Sequence, residues 1–240
     1  MSRKRTPFKD EAELCKALIE RALDEGWVAY PETKGYDIVL ARAGVQIGVQ
    51  AKMHFNAALL RQILPPRATW GSPPADQPHH LAILLPAYDD DVSEICDALG
   101  IVYFYYCNET QAIVPPLRAA TRWDHCSQLP LALPEYVPDV AAGVPSPVVL
   151  TEWKIRALRM CALLEVRGYL TDDDFGEQYL DRRRWLHPFR DWVIHQDGHY
   201  IAATGLKFPE QHPTVYAEIL GEVRAEFNEL STSDFATDEH

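Results

Sequence analysis

The sequence is poor in three features that mark common classes of protein. Its five cysteines are scattered and never spaced as Cys-x-x-Cys, so a disulfide framework is not expected. It has no apolar run near the roughly 20 residues that a membrane helix needs, so we expect no membrane partner. It also lacks a basic excess, since its net charge is −12. The broad positive field of a protein that coats nucleic acid is therefore excluded.

The cysteines indicate the cellular compartment, and they leave a zinc site as a weak alternative. Unpaired, scattered thiols favour a reducing compartment, and basic residues near the N-terminus are followed by no apolar segment of a secretory signal, so we expect a cytoplasmic protein. Cys107, His125 and Cys126 could supply zinc ligands, but their spacing has no paired-ligand signature. Buried or idle thiols are the better interpretation.

The first half of the chain alternates helical and strand patterns. Residues 11–25 place Leu14, Leu18 and Ala22 on one helical face, and three strand-like runs follow up to Lys52. A short helix ends at the Pro65-Pro66 pair, and a strand–helix–strand unit spans Leu81 to Cys107. The order α-β-β-β-α-β-α-β predicts an α/β fold with a mixed sheet flanked by helices.

Composition shifts divide the chain into four parts. We predict a first domain over 1–110, a proline-rich linker or strap over 111–150 that lies on the first domain, a mostly helical domain over 151–222, and an acidic tail over 223–240 that is disordered from Asn228 onward. Residues 1–150 hold 13 Lys and Arg against 18 Asp and Glu, and the remainder holds 10 against 17. Any contact with DNA must therefore come from local patches or from a bound metal ion.

Three polar side chains interrupt the apolar strands of the first domain. Asp37 lies on one strand, and Gln50 and Lys52 lie two residues apart on the next, so the alternation of a strand places Gln50 and Lys52 on one face. Carboxylate and amide oxygens suit Mg²⁺. A neighbouring ammonium could orient a water molecule or stabilise charge on a phosphate oxygen. This set of groups can cut a phosphodiester bond.

The same residues resemble the PD-(D/E)xK nuclease superfamily, which has the restriction-endonuclease-like fold. The resemblance covers about residues 8–107. It rests on Glu13 or Glu11 in the first helix, on Asp37 in Tyr-Asp-Ile-Val-Leu and on Gln50-Ala51-Lys52, a Gln-x-Lys variant similar to Mrr-type restriction endonucleases. Gln62 matches a helix glutamine of RecB-like members. The resemblance implies a site in which Asp37, Gln50 and Glu13 hold Mg²⁺, with Mn²⁺ able to substitute, and Lys52 completes the catalytic set.

One departure from the superfamily pattern concerns the charge of the metal site. Most members have a second acid where this chain has the neutral Gln50, so the site loses a negative charge that Glu11, Glu13 or Glu32 would have to replace. The alternative is a structural ion pair between Asp37 and Lys52, with Gln50 as a surface residue.

The second half resembles a winged-helix domain with three helices and a hairpin turning at Asp197-Gly198. That resemblance places Arg182, Arg183 and Arg184 on the third helix, against phosphates or guanine edges in the DNA major groove, and Lys207 on the wing near another phosphate. The alternative is a solvated helix face, with the arginines paired to Asp172, Asp173, Asp174 or Asp181, or a docking face for a protein.

Three functions remain open from the sequence. The leading hypothesis is a metal-dependent DNA endonuclease or phosphodiesterase, in which Gln62 and the arginines contribute to DNA binding. The second is a catalytically inactive nuclease-like scaffold that binds DNA, a partner protein or a second copy of the chain. The third is a winged-helix regulator whose first domain senses a ligand.

Overall fold

The protein is described by a computed structural model over residues 6–64, 76–117, 130–143, 150–203 and 205–235. The chain divides into two compact units, Met1–Val149 and Leu150–His240, which we call unit 1 and unit 2. Two of the considered zinc ligands, His125 and Cys126, lie outside the described residues, as does most of the loop expected after Pro65-Pro66. Among the described helices, none combines the length and the apolar character needed to cross a membrane.

Unit 1 contains a six-stranded sheet and three helices. Its elements are α1 (Glu11–Asp24), β1 (Val28–Thr33), β2 (Tyr36–Arg42), β3 (Val45–Ala51), α2 (Ala57–Ile63), β4 (His80–Leu85), α3 (Asp90–Leu99), β5 (Val102–Cys107) and β6 (Ala112–Val114). The strands lie side by side in chain order. The pairs β3–β4 and β4–β5 are parallel and the other pairs antiparallel. The predicted α/β fold with a mixed sheet is confirmed.

The helices cover both faces of this sheet because its strands are apolar on both sides. Leu14, Leu18 and Ala22 of α1 pack on one face, against alternate residues such as Ile38 and Val49. α2 and α3 pack on the opposite face, against the other alternate residues of β4 and β5. Burying both faces excludes water from the ladder hydrogen bonds.

Local signals set where these elements begin and turn. Asp10 precedes α1, and its side chain accepts a hydrogen bond from Glu13 N at 3.0 Å, which satisfies one of the free donors of the first turn. The turn between β2 and β3 consists of Ala43 and Gly44, with φ of 48° and 82°. Two positive φ values match the twist of a two-residue hairpin. The paired strands therefore meet in the register Arg42 with Val45.

The described parts of the proline-rich segment, residues 111–117 and 130–143, belong to unit 1. The first residues of this segment form β6, a strand that the sequence analysis missed, at the edge beside β5. Further along, Leu131 N donates to Gln46 Oε1 at 2.8 Å, and Gln46 Nε2 donates to the Leu131 carbonyl at 2.9 Å. We call the described residues 130–143 the strap, since these hydrogen bonds join them to β3.

Unit 2 is mostly helical and has its own core. Its elements are α4 (Glu152–Arg167), α5 (Asp172–Glu177), a 3-10 turn (Arg182–Trp185), β7 (Val193–Gln196), β8 (His199–Ala202), α6 (Phe208–Gln211) and α7 (Pro213–Phe235). Trp185 is fully buried and makes edge contacts with the rings of Phe175 and Trp192. The hairpin β7–β8 turns at Asp197-Gly198 as predicted.

The third helix predicted for a winged-helix domain is wrong in this unit. Helix, helix, third element and hairpin follow in the expected order, and Leu170 bridges Tyr200 of β8. The third element, however, is a single 3-10 turn of four residues, Arg182–Trp185. Burial of Trp185 anchors the turn, and Pro188 lacks the N–H needed to continue a helix. The turn is too short to lie along a DNA groove as a recognition helix.

The predicted disorder of the tail is also wrong for residues 228–235, because α7 continues to Phe235. Val215, Ile219 and Val223 form a buried stripe at helical spacing, and α7 packs against α4. Ion pairs also join the two helices, such as Arg224 with Glu165 at 2.9 Å.

Candidate active site

The candidate site lies where β2 and β3 separate. The ladder between these strands ends at the pair Ile38 and Val49. Beyond that pair, the side chain of Asp37 takes the place of a main-chain carbonyl as the acceptor. Its Oδ2 accepts a hydrogen bond from the N–H of Ala51 at 2.7 Å. A carboxylate that takes a strand N–H has a fixed position, so the fold holds Asp37 in one place.

Lys52 follows the last residue of β3 and is held at both ends. Its backbone N–H donates to the Leu84 carbonyl of β4 at 3.0 Å. Its ammonium Nζ lies 2.7 Å from Glu11 Oε2, with 25% and 29% of the two side chains exposed. The pair lies at the carboxyl end of a parallel strand and at the first residue of α1.

Helix phase decides which N-terminal glutamate belongs to the site. The expected ligand Glu13 is exposed and accepts the backbone N–H of Lys9 at 2.7 Å, whereas Glu11 contacts Lys52. Side chains two positions apart in an α-helix point about 200° apart around its axis, so only one of these glutamates can face the sheet. Glu11, and not Glu13, is therefore the glutamate that pairs with Lys52.

Gln50 is buried and has a structural partner. Only 4% of the residue is exposed, and Nε2 donates to the Gly35 carbonyl at 2.6 Å. The alternative of a surface glutamine is therefore wrong. The amide ties β3 to the turn between β1 and β2, beside Asp37, so Gln50 supports the geometry of the site.

The charged residues of the site also affect the pKa of a buried thiol, that of Cys15. Burial raises the pKa of the Cys15 thiol, and the charges of Asp37, Glu11 and Glu32 raise it further, while Lys52 opposes them. All four charged groups are therefore near Cys15 on α1. We call Glu11, Glu32, Asp37 and Lys52 the acid–lysine cluster.

Two members of the acid–lysine cluster have shifted pKa values. Burial raises the pKa of Asp37, which the Ala51 N–H and the Lys52 charge oppose and the Glu11 charge reinforces. Burial acts to lower the pKa of Lys52, but the hydrogen bond to Glu11 and the charge of Asp37 outweigh it, so the pKa is raised. Ionised Asp37 is therefore destabilised, and a further cation near it would relieve the cost.

The acid–lysine cluster contains two carboxylates that could contribute to a magnesium site with few protein ligands. Within the described residues, no group of three or more His, Cys, Asp and Glu side chains is arranged to hold a metal. Mg²⁺ is commonly held by one or two carboxylates, with water and phosphate oxygens completing its shell. Asp37 and Glu11 could supply those carboxylates, because a carboxylate that accepts one hydrogen bond keeps further lone pairs. With all four groups ionised the cluster has two excess negative charges, the charge of one divalent cation.

The other expected binding residues are dispersed. Gln62 is exposed on α2. Lys207 lies at the N-terminal end of α6 and not on the hairpin, so its placement on a wing is wrong. Arg182 pairs with Asp172, and Arg184 Nε lies 3.9 Å from Asp181 Oδ2. These two arginines therefore have acidic partners, as in the alternative of an acid-paired face.

Sequence reasoning missed two contributors to the site. Cys15 occupies a buried position of α1 that reads as ordinary core. Gly143 of the strap donates its N–H to Glu32 Oε1 at 2.8 Å, and nothing in the local sequence connects positions so distant. The signal available for Glu32 was only that it is an acid close to the strand of Asp37.

Comparisons with protein-family models, with curated proteins and with solved structures gave no match.

Proposed function

We propose that unit 1 is a metal-dependent DNA endonuclease of the PD-(D/E)xK type, with the restriction-endonuclease-like fold, which hydrolyses phosphodiester bonds. The observation that carries the proposal is the ion pair of Glu11 and Lys52 beside Asp37, at the carboxyl end of β3. The element order α-β-β-β-α-β-α-β agrees with the superfamily resemblance. The scattered thiols favour a cytoplasmic, reducing location.

The chain's own residues have distinct roles in this proposal. Mg²⁺, or Mn²⁺ in its place, would be held by Asp37 and Glu11, and when bound it polarises a phosphate oxygen and activates water. Lys52 orients the attacking water and stabilises negative charge on the phosphate. Gln50 fixes the turn beside Asp37 through its bond to Gly35. Burial of the strand ends keeps these groups in place without reorganisation.

DNA is the proposed partner, and Arg183 is the arginine best suited to contact it. It lies on the exposed surface of the 3-10 turn between Arg182 and Arg184, which are engaged by aspartates. An arginine on such a turn would contact a phosphate through its charge, and such a contact does not depend on the DNA sequence. Unit 2 then contributes affinity more than specificity.

The proposal is tested by incubating plasmid and linear DNA with Mg²⁺ or Mn²⁺. We expect cleavage by the wild type and a loss of about 100-fold or more in Lys52→Met, Asp37→Asn and Glu11→Gln. Two matched controls keep activity: Lys16→Met, an exposed lysine of α1, and Glu13→Gln, the exposed glutamate two residues from Glu11. Equal cleavage by Lys52→Met and Lys16→Met would contradict the proposal.

A second candidate function is a nuclease-like scaffold that binds DNA or a protein without cutting. The neutral Gln50, in place of a second acid, favours it, and among the described residues no group of three or more His, Cys, Asp and Glu side chains is arranged to hold a metal. The same assay separates the two functions. Wild type that shifts labelled DNA in a gel but leaves it intact with either metal supports the scaffold.

A further inference from the structure

The strap reaches the acid–lysine cluster at Gly143. Ala142 is buried in the core beneath α1, and the N–H of Gly143 donates to Glu32 Oε1 at 2.8 Å. A Cβ at position 143 would lie 3.0 Å from Cys15 Sγ and 3.1 Å from the carbonyl carbon and oxygen of Glu11. The strap is therefore packed directly on the first turn of α1, at the residue whose carboxylate faces Lys52.

The first turn of α1 needs such a contact. Glu11 is the first residue of the helix, and the terminal turn of a helix is its least restrained part because its N–H groups have no partners within the helix. The cap from Asp10 restrains the turn locally. The strap adds a restraint from a distant part of the chain, on the same residue.

We infer that Gly143 is a positioning residue for the acid–lysine cluster: docked on Glu32 and on the Glu11 backbone, the strap holds the carboxylate of Glu11 against the ammonium of Lys52. The inference deepens the proposed function and rests on it only where activity is measured. It assigns no chemistry to Gly143 itself.

Gly143→Ala tests the contact, and a matched glycine isolates it. Gly143 has a φ of +75°, so alanine there suffers backbone strain as well as the close approach to α1. Gly44 has a φ of +82°, and a Cβ added to it would have no atom within 4 Å. Gly44→Ala therefore introduces the same strain without the contact, and the difference between the two variants reports on the strap.

The pairing of Glu11 with Lys52 is measured in the full-length protein by a double-mutant cycle of Glu11→Gln and Lys52→Met. In the wild-type and Gly44→Ala backgrounds we expect the two shifts in melting temperature to deviate from additivity by about 2–4 °C. In the Gly143→Ala background we expect additivity. A general loss of stability lowers all four melting temperatures of a cycle and leaves the non-additivity unchanged, so equal non-additivity in the two glycine variants overturns the inference.

A second variant covers the case in which Gly143→Ala does not fold. Glu32→Ala removes the acceptor of the Gly143 N–H without adding volume, and we expect it to reduce the same non-additivity. An undiminished value overturns the inference.

The cycle needs no activity, so wild type that cuts no DNA contradicts the proposed function while the strap is still tested. Where the wild type cuts, we expect kcat to fall about 10-fold or more in Gly143→Ala while its KM is unchanged, because the catalytic groups are misplaced. We expect Gly44→Ala to keep the kcat of the wild type.

Discussion

Replacing Lys52 by methionine tests whether the ion pair with Glu11 is held by the fold. Methionine retains much of the length and apolar character of the lysine stem and removes the ammonium. The hydrogen bond of 2.7 Å to Glu11 Oε2 is lost. Asp37, whose pKa burial raises and the Lys52 charge lowers, loses that favourable charge as well.

The magnitude follows from the partial burial of the pair. Exposed ion pairs contribute about 0.2–1 kcal/mol, and breaking a buried pair costs about 3–5 kcal/mol because a charge is left without a partner. The side chains of Lys52 and Glu11 are 25% and 29% exposed, which is between these cases. We expect the free energy of unfolding of unit 1 to fall by about 2 kcal/mol at pH 7.

The sign of the pH dependence is also determined. The pKa of Lys52 is raised above its ordinary value of 10.5, so the contribution is complete below that value and is lost as the pH rises through the folded-state pKa. Measurements at neutral pH therefore report the whole effect.

Urea unfolding followed by hydrogen exchange measures the loss in each unit separately. Peptides from β2 and β3 report on unit 1, and peptides from α4 provide an internal reference in unit 2. Lys16→Met is the control, since Lys16 Nζ lies 3.8 Å from Glu20 and its side chain is 75% exposed; we expect less than about 0.5 kcal/mol there. A Lys52→Met loss no larger than that of Lys16→Met would refute the reasoning.

Three further predictions concern single positions. Because burial raises the pKa of Asp37, its ionised form costs stability; Asp37→Asn should melt higher than the wild type at pH 7, and the gain should disappear as the pH falls below 3.8, the ordinary value. Melting temperatures measured across that pH range check it, and a lower melting temperature at pH 7 contradicts it. Gly48→Ala should lose about 1–3 kcal/mol in urea unfolding, since its Cβ would lie 2.6 Å from Tyr36 Cε1. Gly221→Ala is the control, because Gly221 has no positive φ and an added Cβ there would have no atom within 4 Å. Asp174→Ala should destabilise unit 2 by about 2–4 kcal/mol, because the buried Asp174 pairs with Arg167 and completes the capping box of α5, and far-UV circular dichroism melts test this loss.

Much of unit 1 could be predicted from sequence because its signals are local. Alternation in β2 and β3, the run of β4 and the helical spacing of α1 each depend on which neighbours must be buried. β6 could not be found in this way. Its three residues, Ala112–Val114, stand before two prolines and carry no periodicity, and they form a strand because β5 offers an edge.

Unit 2 shows the limits of composition as a signal. The acidic residues near the C-terminus suggested disorder, yet α7 is held by a stripe of apolar residues against α4 and by ion pairs such as Arg159 with Glu222 at 3.8 Å. The arginine run suggested a helix, but the burial of Trp185 confines it to one 3-10 turn. In both cases a tertiary contact overrides the local pattern.

The candidate site was predicted in part. Asp37 and Lys52 were located because a charged residue within an apolar strand has few structural explanations. The choice of Glu11 over Glu13 depends on helix phase, which sequence spacing leaves open. The role of Gly143 depends on a contact between distant segments, so only the folded chain reveals it.

The two anchors of the strap respond differently to evolutionary change. Gln46 recognises Leu131 through main-chain N–H and C=O alone, so those two bonds survive replacement of the leucine side chain. Gly143 is the reverse case, since any added carbon meets α1. The segment between the anchors could change in sequence or in length while both anchors stay attached. Related chains could therefore vary the middle of the strap without disturbing the ends of β2 and β3.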